Sequence, residues 1–109
     1  MSPSLEESSD REFRENLLKA QNVIVNVKNR KVFVSGNEIK LAGKEYDLLV
    51  TLMQNKGNLV PREQLLKAVW KYESGIESRT LDVHIRLLRQ KLKNEKLIET
   101  VHGVGYRLK

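Results

Sequence analysis

There is no cysteine among the 109 residues, so neither a disulfide framework nor a thiolate metal site can organise this chain. That absence fits a reducing cytoplasm, where the chain is expected to reside. No apolar run approaches the roughly 18 residues of a membrane span and no signal-peptide core is present, so no membrane partner is expected. Histidine is almost as scarce: His84 and His102 lie in separate segments with no evident third ligand, which leaves a metal site unsupported. No nucleophile motif adjoins either, and no glycine-rich phosphate loop follows a strand, since Gly103 and Gly105 fall in a hairpin. Neither catalysis nor a cofactor is therefore expected. Aromatics are few, and several of Phe13, Phe33, Tyr46, Trp70, Tyr72 and Tyr106 read as core. Readers of single-stranded RNA usually display such rings as stacking platforms. Repeats and low-complexity tracts are also lacking.

What is abundant is positive charge. Twenty Lys and Arg stand against fourteen Asp and Glu, a net +6 with a pI near 9.7. The charge is unevenly placed: residues 1–20 hold five carboxylates and three bases, a balance of −2, which leaves +8 on the remainder. A basic body favours an acidic partner such as nucleic acid, although an anionic membrane surface also suits it.

Residues 1–14 are polar and acidic and read as a flexible linker or tail ahead of one domain, 15–109. Glu12 to Gln21 admits two readings: Phe13 and Leu17 permit a short helix, while Leu17 to Ala20 suits a strand. From Val23 the β-branched alternation is clear. Val23, Val25 and Val27, then Val32 and Val34, then Ile39 and Leu41 are separated by Asn- and Gly-containing turns, which predicts a small antiparallel meander. Such a sheet needs something packed on it. The segment 44–55 supplies a helix with an apolar face of Tyr46, Leu49, Val50 and Met53, and Gly57 is placed for a left-handed cap. Leu59-Val60 reads as an extended link. Pro61 suits the first turn of a second helix ending near Trp70, with Leu65, Leu66, Val69 and Trp70 on its buried side. A loop over 71–77 follows.

Residues 78–93 are the stretch the rest is built to present. Leu81, Ile85, Leu88 and Leu92 form a narrow apolar stripe at helical spacing. Arg79, Arg86, Gln90 and Lys93 fall on the opposite side, with His84, Arg89 and Lys91 on the flanks. Asp82 is the one carboxylate, near the start where the helix dipole tolerates it. Val83 and Leu87 also point away from the stripe. A basic face with two small apolar patches suits a DNA major groove, where arginines reach phosphates and guanine edges and apolar groups meet thymine methyls. After it, the strand 97–101, a tip at 102–105 and the return 106–108 predict a β-hairpin. Three helices followed by a glycine-tipped hairpin is winged helix-turn-helix order, here an α+β fold with an N-terminal antiparallel sheet, a three-helix core and a C-terminal wing.

Several motifs agree with this order. Lys44-Glu45-Tyr46-Asp47-Leu48-Leu49, Val60-Pro61-Arg62-Glu63-Gln64-Leu65-Leu66, Arg79-Thr80-Leu81-Asp82-Val83-His84-Ile85 and Leu88-Arg89-Gln90-Lys91-Leu92 stand in sequence, followed by Thr100-Val101-His102-Gly103-Val104-Gly105-Tyr106-Arg107. Over roughly residues 15–108 the chain resembles the OmpR/PhoB-type effector domain of bacterial response regulators. The resemblance implies a strand at Leu17–Ala20, a recognition helix over 79–92 and a wing over 98–108. It implies sequence-specific binding of promoter DNA carrying direct repeats, within a two-component system controlling transcription. Arg79, Thr80, His84, Arg86 and Arg89 would meet bases or adjacent phosphates, beside Val83 and Leu87, and Thr100, His102 and Tyr106 would be wing contacts. Loop 71–78 would face RNA polymerase, and a phosphate-accepting receiver domain would precede this chain, which would then be a fragment. Two departures stand out. Ala42-Gly43 replaces the family's usual Thr-Pro helix start, so the first helix lacks a side-chain cap, a loss of about 1 kcal/mol. Leu87 and His102 occupy positions often held by arginine.

Overall fold

Alternating valines pair into sheet wherever the chain can reverse in two or four residues, and here it reverses three times. The structure, a computed structural model, describes residues 16–71 and 75–109. Strands β1 (Leu17–Ala20), β2 (Val23–Asn26), β3 (Lys31–Val34) and β4 (Asn37–Ile39) form one antiparallel sheet in that order. This decides for the strand at Leu17–Ala20; Phe13 and the 1–14 linker lie outside the described residues. The register lines up Leu18, Val25, Val32 and Ile39 in one row and Ala20, Val23 and Val34 in the next. These residues share one face of the pleat, and that face is buried.

Helix α1 (Gly43–Gln54) packs against β1 and the other helices, and its Leu48, Leu49 and Leu52 are fully buried. Its N-cap, Ala42, has no side-chain acceptor, as its sequence requires. The other half of a capping arrangement is present: buried Glu45 accepts the Ala42 N–H at 2.9 Å. The same carboxylate oxygen accepts Lys91 Nζ at 2.6 Å, which ties α1 to the basic helix. The C-terminus closes at Asn55, not at the expected glycine. Gly57 (φ +85°) lies two residues further on and turns the chain so that its N–H reaches the Leu108 carbonyl.

Two further helices complete the core, α2 (Arg62–Trp70) and α3 (Ser78–Leu92). In α3 the stripe Leu81, Ile85, Leu88 and Leu92 is wholly excluded from solvent. Trp70 fills the core at the end of α2, edge-on to the His84 ring at 5.1 Å.

The wing holds a third strand. Leu59-Val60, read as a link, is part of β5 (Leu59–Pro61), and the sheet order is β5, β7 (Gly105–Leu108), β6 (Ile98–Val101). Pro61 ends β5 opposite Gly105, and α2 begins only at Arg62. Gly105, placed in the tip by the sequence, belongs instead to strand β7. A Cβ there would lie 2.1 Å from the Val60 carbonyl oxygen and 2.9 Å from the Pro61 Cα, so glycine is required by close backbone approach. Gly103 (φ +76°) is the residue in the left-handed region, and the space around it is open.

A polar cluster pins helix to wing. Asp82 on α3 receives both Nη1 and Nη2 of Arg62, at 2.7 and 2.9 Å, and the Tyr106 hydroxyl donates to it from β7. Arg62 also donates to the Ser78 carbonyl at 3.0 Å, so one guanidinium spans the first turns of α2 and α3. The hydrogen bonds from Arg62 hold the Asp82 carboxyl below its ordinary 3.8 despite some burial, and Tyr106 adds to this. Burial, then the Asp82 bond, raises the Tyr106 phenol above its ordinary 10.0.

Two outcomes follow for stability. Gly105→Ala should destabilise by about 3 kcal/mol through forced backbone displacement, whereas Gly103→Ala should cost about 1–2 kcal/mol of left-handed strain. Urea unfolding of the two variants measures this, and equal losses would contradict the assignment. Because the folded Asp82 value is depressed, its contribution is present above pH 3.8 and fades as pH falls through the lower folded value. Asp82 is half exposed, so Asp82→Asn should cost no more than about 1 kcal/mol at pH 7. The gap from the parent should narrow as pH falls below 3.8; a gap unchanged there would show the carboxylate charge is idle.

Candidate nucleic-acid interface

The fifteen residues of α3 give a rod about 22 Å long, of which only one side is engaged by the core. Arg79, Val83, Arg86, Leu87 and Gln90 fall at successive helical turns on the other side, and all are exposed. Val83 and Leu87 are 47% and 39% exposed, consistent with their angle from the stripe, and lie one turn apart. Among the described residues neither Arg79 nor Arg86 has a carboxylate partner; the ion pairs there are Arg30–Asp47, Arg62–Asp82, Lys91–Glu45 and Arg107–Glu99. The helix's single acid is thus neutralised by Arg62 while its outer arginines are not. The result is a positive face with an apolar centre.

The remaining expected contacts are placed differently. His84 is half-buried, and its Nδ1 lies 2.7 Å from the Thr80 carbonyl, which can only accept; Nδ1 therefore carries the proton and Nε2 is left for another partner. Thr80 is half-buried on the same flank. Arg89, expected beside a phosphate, instead turns to the wing, where Nε and Nη2 donate to the Ile98 carbonyl at 3.1 and 2.6 Å. Nη2 also donates to Thr100 Oγ1 at 2.6 Å, so this threonine too faces inward. Tyr106, expected at the wing, is only 4% exposed and donates its hydroxyl to Asp82. His102 is exposed at the tip, beside exposed Val104.

Sequence reasoning missed Arg62 and Glu45, the two groups that orient α3 from outside. The lone Asp82 on an otherwise basic helix was the available signal, since a single carboxylate among bases attracts a cationic partner. Wing residue Val104, 44% exposed, was also passed over.

Comparison with known proteins agrees with this geometry. A family described as "Transcriptional regulatory protein, C terminal" matches residues 36–108. The response regulator ArlR of Staphylococcus aureus is 43% identical over 99 residues, covering 88% of this chain and 45% of ArlR. The chain thus spans less than half the length of the curated relatives it matches. The response regulator DrrB of Thermotoga maritima, an OmpR/PhoB homologue, superposes with a TM-score of 0.78 at 28% identity, covering 99% of this chain and 52% of that one. The DNA-binding domain of Klebsiella pneumoniae RstA, solved in complex with the RstA box, gives 0.74 at 28% identity over 84% of this chain and 95% of its own. From the matched span and the shared winged helix, the chain belongs to the transcriptional regulatory protein C-terminal family, the effector domains of OmpR/PhoB-type response regulators.

Proposed function

We propose that this chain binds double-stranded DNA sequence-specifically to control transcription, with α3 in the major groove and the wing tip on the backbone or minor groove. The observation that carries this is the outward face of α3, where unpaired Arg79 and Arg86 flank exposed Val83 and Leu87. Arginines without carboxylate partners supply phosphate and guanine contacts, and the apolar pair supplies methyl contacts. RstA, a structural relative, was solved on a DNA box, which supports the same use here. Stacking on single strands is disfavoured by the burial of Tyr46, Trp70 and Tyr106.

In the whole protein, a receiver domain would precede this chain and pass a phosphorylation signal to it; the doubled length of ArlR supports that arrangement. Cytoplasmic location, promoter sites arranged as direct repeats and contact between residues 71–78 and RNA polymerase belong to the same reading.

Binding should weaken steeply with salt: neutralising about six phosphates gives a slope of log K against log salt near −5. Arg86→Ala should lower affinity and reduce that slope by about one unit while leaving thermal stability intact. Competition on duplex and single-stranded probes measures both, and a slope near zero on duplex would sink the reading.

Leu87 offers a finer test. As an apolar base contact it contributes discrimination but little salt dependence. Leu87→Ala should relax preference at one or two A·T positions with the slope unchanged. Leu87→Arg should raise affinity for unrelated duplexes and steepen the slope by about one unit. Selection from random duplexes reads the preference; two variants that match the parent would remove Leu87 from the interface.

A further inference from the structure

α3 carries more arginine than its outer face uses. The Arg89 guanidinium makes three hydrogen bonds to β6, two to the Ile98 carbonyl and one to Thr100 Oγ1. Its carbon also lies 5.7 Å from the centre of the Tyr106 ring on β7. One side chain of α3 therefore touches both strands of the hairpin. A guanidinium has five N–H donors in a fixed fork, and turning this one toward a phosphate would strip the Ile98 carbonyl and Thr100 hydroxyl of their partner. Glu95 lines the same hollow as Arg86, Arg89 and Gln90, so a phosphate entering there would meet a carboxylate. The Arg62–Asp82–Tyr106 cluster joins α3 to β7 near the helix start, and Arg89 joins α3 to β6 two turns later.

We propose that Arg89 is a positioning residue: it fixes the wing against α3, so that the exposed tip residues His102 and Val104 meet DNA in register with Arg79 and Arg86, and it touches no phosphate itself. This rests on the duplex-binding reading above. Its consequence is energetic coupling between helix and wing. With Arg89 in place the two elements bind as one rigid surface; without it the wing must be ordered at the moment of binding, at a cost in affinity.

The test has two arms. In the free protein, amide hydrogen exchange in β6 and β7 should speed up about tenfold or more in Arg89→Ala relative to the parent, and not in Arg86→Ala, since opening the wing loses charge-assisted bonds. Unchanged wing exchange overturns the clamp, whatever the protein binds. On duplex DNA, Arg89→Ala should bind about tenfold more weakly with an unchanged salt slope. The effect of His102→Ala should largely vanish in the Arg89→Ala background. Arg89→Lys keeps the charge but not the fork, and should behave like the alanine variant in this cycle. A slope reduced by about one unit, with additive Arg89 and His102 effects and rescue by lysine, would make Arg89 a phosphate ligand and overturn the proposal. A parent chain that binds no duplex would defeat the proposed function, and the exchange arm would still judge the clamp.

Discussion

Everything this domain presents depends on four side chains, Leu81, Ile85, Leu88 and Leu92, being wholly withdrawn from water. Full burial is worth about 1.5–3 kcal/mol for each, so the stripe supplies about 6–12 kcal/mol, comparable with the whole net stability of a small domain. The stripe is narrow, one residue per turn. That narrowness leaves the other side of α3 uncommitted, and it is why a helix essential to the core can still offer Arg79, Val83, Arg86 and Leu87 to solvent. A broader apolar face would bury the interface; a weaker one would release the helix.

Apolar burial holds α3 in place but does not fix its angle to its neighbours. That task falls to charged groups directed inward. Glu45 reaches from α1 to Lys91, Arg62 from α2 to Asp82, and Arg89 from α3 to the wing. Several of these are also the residues that make the helix look uniformly basic. The division of labour is clear: bases on the flanks hold the domain together, and those on the crest remain without carboxylate partners.

Much of the fold was legible in the sequence because period alone specifies it. The valine alternation gave the meander, and the spacing of Leu81, Ile85, Leu88 and Leu92 placed α3 and its exposed face. β5 was not legible, since a three-residue strand ending in proline has no period, and its partner Tyr106 lies far along the chain. Nor was the need for glycine at 105 legible, since it arises from the Val60 carbonyl on the neighbouring strand. The candidate site was half legible. Helical angle predicts where a side chain leaves the backbone, which served for Arg86, Val83 and Leu87. It does not predict where a long side chain ends. The resemblance placed Arg89, Thr100 and Tyr106 among the DNA contacts, and in the structure Arg89 reaches Thr100 and lies over the Tyr106 ring.

In the proposed function, the crest of α3 and the wing tip form one DNA-binding surface. Chemical-shift mapping of the chain with a short duplex at low salt tests it most directly. Perturbations should concentrate at Arg79, Val83, Arg86, Leu87 and Gln90 on the helix and at 102–104 on the wing, with β1 to β4 unmoved. Perturbations centred on the β1–β4 sheet, or none at all at low salt, would contradict it.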